Sequence, residues 1–283
     1  LTNWKQAAMG WDSSAAINYN GQLYTWGRGT GQSDFAGTTG SLGTFNANYS
    51  SPIQVGSLTN WKEISIGYYW MAALKQDGTL WVWGQNVLGQ FGTNTNKNYY
   101  SSPVQVGSLT NWKKVYAGRN SLYSIKTDGT LWVCGNNGSG QLGLGNTAYY
   151  SSPVQVGALT NWADIGTNGG ALHTLGVRTD GTLWAWGDNT SGQLGNGNRT
   201  SYSSPVQIGS LTNWKRVFTG WNSSIAIKTD GTLWTWGIND YGELGVGNRT
   251  SYSSPVQVGS LTNWKYAIMD NESISALTFT DLN

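Results

Sequence analysis

Charged residues are scarce in this chain: they make up 11% of its 283 residues, and the net charge is +2. The Lys and Arg residues are scattered, and no basic run occurs. Because nucleic acids and anionic membrane surfaces are bound by clustered positive charge, we expect neither as a partner. No apolar stretch approaches the length of a membrane span, so membrane insertion is not expected either.

Residues that commonly act in catalysis or metal binding are also rare. Cysteine and histidine each occur once, as Cys134 and His173. A single cysteine excludes an internal disulfide, and a single histidine lacks partners for a catalytic triad or a His-based metal site. The sequence also has no phosphate-binding loop, no Cys/His cluster and no isolated acidic pair. We therefore expect no catalytic residues, no cofactor and no metal, that is, a protein that is not an enzyme.

The most informative feature that the sequence does have is a repeated motif. The string Leu-Thr-Asn-Trp occurs six times, and its tryptophans are Trp4, Trp61, Trp112, Trp162, Trp214 and Trp264. The spacings of 57, 51, 50, 52 and 50 residues define a unit of about fifty residues. A fixed period of this length indicates a repeat architecture. We expect a single domain over 1–283, with repeats at about 1–57, 58–108, 109–158, 159–210 and 211–260 and a partial one at 261–283.

Each repeat is predicted to contain four short antiparallel strands. In the third repeat these are 112–117, 121–126, 131–134 and 153–156. The Asp128-Gly129 pair predicts a tight type I′ hairpin between the second and third strands, because that turn needs positive φ at both central positions. Pro153 at the start of the fourth strand indicates a sheet edge. The repeats predict an all-β protein built from four-stranded antiparallel blades, a β-propeller.

The third strand explains how such blades would pack. In the fifth repeat it reads Leu233-Trp234-Thr235-Trp236, so alternation places both tryptophans on one face and Leu233 with the smaller Thr235 on the other. Two covered faces are typical of stacked sheets. Cys134 takes a position that is tryptophan in the other complete repeats, which favours a buried apolar role over a reactive thiol. We expect His173 to be structural and hydrogen-bonded within its own blade.

The motif Asp-Gly-Thr-Leu-Trp-x-Trp-Gly resembles the repeat of the regulator of chromosome condensation family. It occurs at 77–84, 180–187 and 230–237, and Gly-Gln-Leu-Gly follows in two repeats. The regular repeats are most similar to the bacterial and phage type. The resemblance implies a propeller that usually has seven blades, whereas this sequence predicts about five and a half. Two strands are then needed to finish a closed ring. The sequence starts at Leu1 in mid-repeat. Either residues are missing at the ends, and the propeller then has six or seven blades, or the ring is open or unusually closed. A partner could cover the unpaired half-blade.

The loop between the first and second strands departs most from the repeat. It carries bulky residues in several repeats, and we predict a binding rim of Trp11, Tyr68, Tyr69, Trp70, Arg119 and Trp221. Exposed loop aromatics that pack only on neighbouring loops are the alternative. An insertion at 29–47, which contains Asp34 and Phe35, is either an outward interaction loop or a capping irregularity.

Low charge, abundant Asn, Ser, Thr and Gly, and many aromatics favour a surface protein. We expect a non-enzymatic interaction or structural propeller, extracellular or on a virion surface, that contacts a protein partner or a surface glycan. A carbohydrate-binding lectin is the alternative function. The family resemblance implies a more remote one, guanine-nucleotide exchange on a small GTPase, but the basic tail and inserted wedge used by such relatives are not recognisable here.

Overall fold

The computed structural model describes residues 3–29, 41–44, 47–95, 99–168, 170–269 and 274–278. In these ranges the regular secondary structure is β-strand only. The strands form five four-stranded antiparallel sheets and one two-stranded sheet, in sequence order within each sheet. Each four-stranded sheet is one of the predicted blades, numbered 1 to 5 here, and the two-stranded sheet is the half-blade. The chain divides into two compact units.

Unit 1 (Leu1–Asn136 with Tyr149–Gln155) contains blades 1 to 3. Blade 1 is β1 (Trp4–Met9), β2 (Ser13–Asn18), β3 (Leu23–Gly27) and β4 (Tyr49–Gln54). Blade 2 is β5 (Trp61–Ile66), β6 (Trp70–Lys75), β7 (Leu80–Gln85) and β8 (Tyr99–Gln105). Blade 3 is β9 (Trp112–Ala117), β10 (Ser121–Lys126), β11 (Leu131–Gly135) and β12 (Tyr150–Gln155). Within the unit, β5 packs on β1 and β2, and β9 packs on β5 and β6.

Unit 2 (Asn137–Ala148 with Val156–Asn283) contains blades 4 and 5 and the half-blade. Blade 4 is β13 (Trp162–Gly166), β14 (His173–Arg178), β15 (Leu183–Gly187) and β16 (Tyr202–Gln207). Blade 5 is β17 (Trp214–Thr219), β18 (Ser223–Lys228), β19 (Leu233–Gly237) and β20 (Tyr252–Gln257). The half-blade is β21 (Trp264–Met269) and β22 (Ile274–Thr278). That the two units together form one domain stays a prediction.

Two local predictions are corrected. Gly129 has positive φ (80°), but Asp128 does not, so the turn is not type I′. The amide of Gly129 donates to the Lys126 carbonyl, and Lys126 donates to the Thr130 carbonyl, which closes a three-residue loop ending in glycine. The fourth strand begins at Tyr150 and not at Pro153, because the register shifts opposite β11 and places the proline where no ladder N–H is needed.

The predicted packing of the third strand is confirmed. In blade 5 the ring of Trp214 lies 6.0 Å from that of Trp234 and 6.4 Å from that of Trp236, so both third-strand indoles share one face. Trp236 is fully buried, and Thr235 on the opposite face is buried too. Lys228 lies over the ring of Trp234, with Nζ 3.7 Å from the ring centroid. Blades 2, 3 and 4 repeat this cation–π contact with Lys75, Lys126 and Arg178.

The Gly-Gln-Leu-Gly loop of blade 4 contacts the third strand of blade 5. In unit 2 the backbone carbonyl of Gln193, which lies between β15 and β16 of blade 4, accepts the indole N–H of Trp236 in blade 5 at 2.8 Å. Gly195 has a φ of 79°, and its missing side chain leaves room for that indole. In blade 1 the motif is replaced by Gly-Ser-Leu-Gly, and its Leu42 is fully buried. The described part of the insertion therefore packs in the core, whereas Asp34 and Phe35 lie outside the described residues.

Cys134 is fully buried, which confirms its structural position, and burial raises the pKa of its thiol. His173 is also fully buried, but its partner is not in its own blade. Its Nε2 lies 2.8 Å from Oγ of Ser224 in blade 5. Ser224 in turn donates to the Gln193 carbonyl at 2.7 Å. The expectation of a bond within one blade was therefore wrong: His173 joins blade 4 to blade 5.

Candidate binding surface

Residues from three blades of unit 1 meet at the loops that join first and second strands. The rings of Trp11 and Tyr68 are 5.4 Å apart, and those of Tyr68 and Tyr69 are 4.3 Å apart. The guanidinium carbon of Arg119 lies 5.6 Å from the centre of the Tyr68 ring. Tyr68 is 57 positions after Trp11 and 51 positions before Arg119, and these residues come together because β1, β5 and β9 are neighbours. We call Trp11, Tyr68, Tyr69 and Arg119 the aromatic cluster.

The cluster presents its aromatic surface to solvent. The side chain of Trp11 is 54% exposed, and Tyr68, Tyr69 and Arg119 are partly buried. A large ring that remains this exposed while its neighbours fix its position loses little entropy when it is covered. Aromatic residues and arginine are also the side chains that dominate binding energy in protein interfaces. The arrangement is therefore suited to contact with another molecule.

Trp70 was expected in this rim and is not part of it. It begins β6, is 1% exposed, and its indole N–H points to the carbonyls of Gly118 (3.1 Å) and Arg119 (3.2 Å). The reason is that β6 lies between β5 and β7 and every residue of this strand is buried, including the first. Trp70 fixes the loop that carries Arg119 and cannot itself contact a ligand.

Trp221 lies in unit 2, in the equivalent loop of blade 5. It is 37% exposed, and its ring occupies the space that a side chain at Gly170 would need. Ala171, at the equivalent position of blade 4, is buried. Asn271, at the equivalent position of the half-blade, lies outside the described residues. The inclusion of Trp221 in one rim with the aromatic cluster stays a prediction.

Charged neighbours of the cluster were missed by the sequence reading. Asp12 follows Trp11, and its carboxylate lies 3.8 Å from the Arg28 guanidinium. Partial burial raises the pKa of Asp12 despite the nearby Arg28. The pKa of Tyr69 is raised to about 12 by burial, and next by its hydrogen bond to Tyr68. The Tyr69 hydroxyl therefore keeps its proton at neutral pH. In the sequence, the only sign of the Asp12–Arg28 pair was that Asp12 directly follows Trp11.

The described residues were also searched for side chains that could together bind a metal ion. Among them, no three His, Cys, Asp or Glu side chains come close enough together to hold an ion. A search of the same residues for a helix long and apolar enough to cross a bilayer finds none.

The aspartates of the Asp-Gly-Thr motif are turn residues, as predicted. Asp128, for example, accepts from the Thr130 amide (3.0 Å) and hydroxyl (2.7 Å), and these bonds lower its pKa.

Five four-stranded antiparallel blades and a half-blade, repeated at about fifty residues, define an all-β protein of the β-propeller class. The sequence profile of the RCC1-like domain matches residues 1–275. The chain belongs to this family, which confirms the resemblance seen in its repeats.

Curated relatives support the assignment. The ultraviolet-B receptor UVR8 of Arabidopsis thaliana is 30% identical over 78% of this chain and 50% of its own length. The probable E3 ubiquitin-protein ligase HERC6 of Homo sapiens is 33% identical over 66% of this chain and 18% of its own length. The chain thus spans half or less of the length of these relatives.

Solved structures show the same fold. Prp20p from Saccharomyces cerevisiae, described together with its binding to Gsp1p and histones, aligns with a TM-score of 0.79 at 18% identity. That alignment covers 95% of this chain and 68% of the yeast chain. Yeast RCC1 (Prp20) bound to Kap60 aligns with a TM-score of 0.81 at 19% identity over 95% of this chain and 65% of the other.

Proposed function

We propose that this chain is a non-catalytic protein-binding β-propeller whose contact surface includes the aromatic cluster. The exposure of Trp11, at 54%, within a fixed group of rings and one arginine carries the proposal. The solved yeast relatives bind proteins by their own descriptions, which is consistent with this function. Trp70 supports the cluster from below by fixing the Arg119 loop.

The test compares partner capture by matched variants. The chain carrying Trp11→Ala and Tyr68→Ala and the chain carrying Tyr241→Ala are used beside the unchanged protein, with quantitative mass spectrometry of what each retains. Tyr241 is a suitable control because it is 78% exposed and lies in unit 2. We expect a partner that is retained by the unchanged chain and the control but lost by the cluster variant. A partner that binds all three equally would show that the cluster is not the contact surface.

Glycan binding is the second candidate, and the Asp12–Arg28 pair, whose charges act on Tyr69 of the aromatic cluster, favours it. An aromatic face that stacks on a sugar ring, next to groups that hydrogen-bond its hydroxyls, is a plausible lectin chemistry. A glycan array with the unchanged chain tests it, and loss of the signal on Trp11→Ala with Trp221→Ala would support it. A blank array would reject this function. An exchange assay with a panel of small GTPases tests the remote alternative.

We also propose that the protein acts at an extracellular or virion surface, and that the half-blade edge takes part in assembly. The low charge and the abundance of Asn, Ser, Thr and Gly support the first proposal. Strand β22 pairs with β21, and among the described residues no further strand joins it, which supports the second. Sedimentation of the purified chain tests assembly: a monomer at all concentrations would contradict it.

A further inference from the structure

The arginine of the aromatic cluster has no acidic partner. Among the described residues, the side chain of Arg119 forms neither an ion pair nor a hydrogen bond. Its guanidinium is held over the Tyr68 ring instead, with the guanidinium carbon 5.6 Å from the ring centre. The indole N–H of Trp70 lies 3.2 Å from the Arg119 carbonyl and fixes the loop. The N–H donors of this guanidinium are therefore held in place and are not used by an acid.

Charge is distributed unevenly over the cluster. At one end, the carboxylate of Asp12 lies 3.8 Å from the Arg28 guanidinium, so these two charges offset each other beside Trp11. The Tyr69 hydroxyl adds no negative charge, because burial raises its pKa to about 12. At the other end, no residue of the cluster offsets Arg119. A molecule that covers the cluster therefore meets an exposed ring at one end and an uncompensated positive charge at the other.

The two ends are close enough for one short peptide segment to contact both. The rings of Trp11 and Tyr68 are 5.4 Å apart, and the guanidinium carbon of Arg119 is 5.6 Å from the Tyr68 ring. The sum of these distances, about 11 Å, is the largest possible separation between the Trp11 ring and the guanidinium. In an extended chain, residues two positions apart share a face and lie about 7 Å apart, whereas residues four positions apart lie about 13 Å apart. Only the shorter spacing fits within the cluster.

An extended segment suits this surface better than a helix does. A bound helix lays a row of apolar residues into a groove, so it needs several apolar contacts in line. The cluster offers one largely exposed ring, Trp11, beside the partly buried Tyr68 and Tyr69. The planar fork of Arg119 matches the two oxygens of a carboxylate, which a lysine cannot do.

We propose that the aromatic cluster binds an extended acidic peptide segment of a protein partner, in which an aspartate or glutamate lies two positions from an apolar residue. The apolar side chain covers the Trp11 ring, and the carboxylate accepts N–H bonds from Arg119. The inference rests on the proposed protein-binding function and names the chemistry of the partner. A guanidinium that a ring already holds in place loses little freedom when it is bound. Its bonds to a carboxylate are also stronger than bonds between neutral groups.

The first test determines which peptides the cluster selects. A library of random dodecapeptides displayed on phage is selected on the immobilised full chain. Among the enriched peptides, those that fail to bind the Trp11→Ala variant should carry an acidic residue two positions from an apolar one more often than the unselected library does. Enriched peptides that depend on Trp11 but show no such excess would overturn the inference.

The second test assigns the acid to Arg119, using fluorescence anisotropy of one enriched, labelled peptide. We expect Arg119→Gln to weaken binding about tenfold, and Arg119→Lys to weaken it less, because the charge remains but the fork is lost. Replacing the acid of the peptide by its amide leaves the protein unchanged. It should cost the same factor, with no further loss on Arg119→Gln. The control is Arg199→Gln, which changes an exposed arginine of unit 2 and should have no effect.

The outcomes separate this inference from the function on which it rests. Loss of binding on Trp11→Ala but not on Arg119→Gln would overturn the inference and leave the protein-binding function standing. Equal losses on Arg119→Gln and Arg199→Gln would show a general attraction of charge and would also overturn it. Unchanged binding on both Trp11→Ala and Arg119→Gln, or a library without any peptide that depends on Trp11, would contradict the inference and the function together.

Discussion

Lowering the pH should destabilise unit 2 through a single side chain, His173. Its Nε2 hydrogen must point to Ser224, because the Ser224 hydroxyl already donates to the Gln193 carbonyl. The other ring nitrogen, Nδ1, is buried and has no hydrogen-bond partner in the described residues. A second proton at Nδ1 would place an unsatisfied charge in the core. Burial accordingly lowers the pKa of His173 from 6.5 to about 4, and the charge of Asp188 offsets this only in part.

The size and sign of the effect follow from linkage. Because the pKa is lower in the folded state, the neutral imidazole contributes stability that is complete above pH 6.5 and is lost as the pH falls towards 4. Each pH unit in this window changes the free energy of unfolding by about 1.4 kcal/mol. Between pH 8 and pH 5 the loss is about 2 kcal/mol. His173 is the one histidine of the sequence, so no other imidazole contributes.

The assay is urea unfolding followed by tryptophan fluorescence at pH 8, 6.5, 5.5 and 5. The variant His173→Gln is the control, because its amide can still donate to Ser224 but does not titrate. Between pH 8 and pH 5 we expect the free energy of unfolding of the unchanged protein to fall by about 2 kcal/mol relative to that of the variant. Asp12, whose raised pKa acts with the opposite sign, is present in both and cancels in the comparison. Parallel profiles for the two proteins would refute the reasoning.

Three further substitutions test the packing. Gly143→Ala should lower the free energy of unfolding by more than about 1 kcal/mol, since φ is 76° there and the new Cβ would lie 2.9 Å from Nε1 of Trp186. Urea titration measures it, with Gly145→Ala, which has the same φ and more open space, separating the backbone cost from the clash. Lys126→Met should cost about 0.5–1 kcal/mol by removing the cation 3.6 Å from the Trp132 ring, and a neutral result in thermal melts would contradict this. Trp70→Phe should leave the fold intact but speed amide exchange in the 118–119 loop, measured by hydrogen exchange, since two carbonyl contacts are lost.

Much of the fold could be predicted because its signals are local and repeated. The bounds of β9 and β10 are those expected from alternation alone, and the alternation of Trp234 and Trp236 gives the shared indole face. The errors were also local. The turn at Asp128-Gly129 has a three-residue form, because the loop needs positive φ only at the glycine. The start of β12 was misplaced because a register shift leaves no signal in the sequence.

The candidate surface was predictable in its members but not in its geometry. Trp11, Tyr68 and Arg119 were identified because they differ between repeats. Positions that the scaffold requires stay the same from repeat to repeat, so a position that varies is visible in the sequence. Asp12 and Arg28 did not stand out, because a single carboxylate and a single guanidinium have no meaning until they lie 3.8 Å apart. Trp70 was misassigned because exposure depends on which strand of the sheet a position occupies.

The sequence by itself determined the repeat, the strands and the family, because these depend on patterns within fifty residues. Tertiary structure decided which residues of different blades meet. His173 bonds to Ser224, which is 51 positions away, and the indole of Trp70 in blade 2 donates to the Gly118 carbonyl in blade 3. Such contacts depend on the register of one sheet against the next. That register is fixed by side-chain packing between blades and not by the alternation within any one of them.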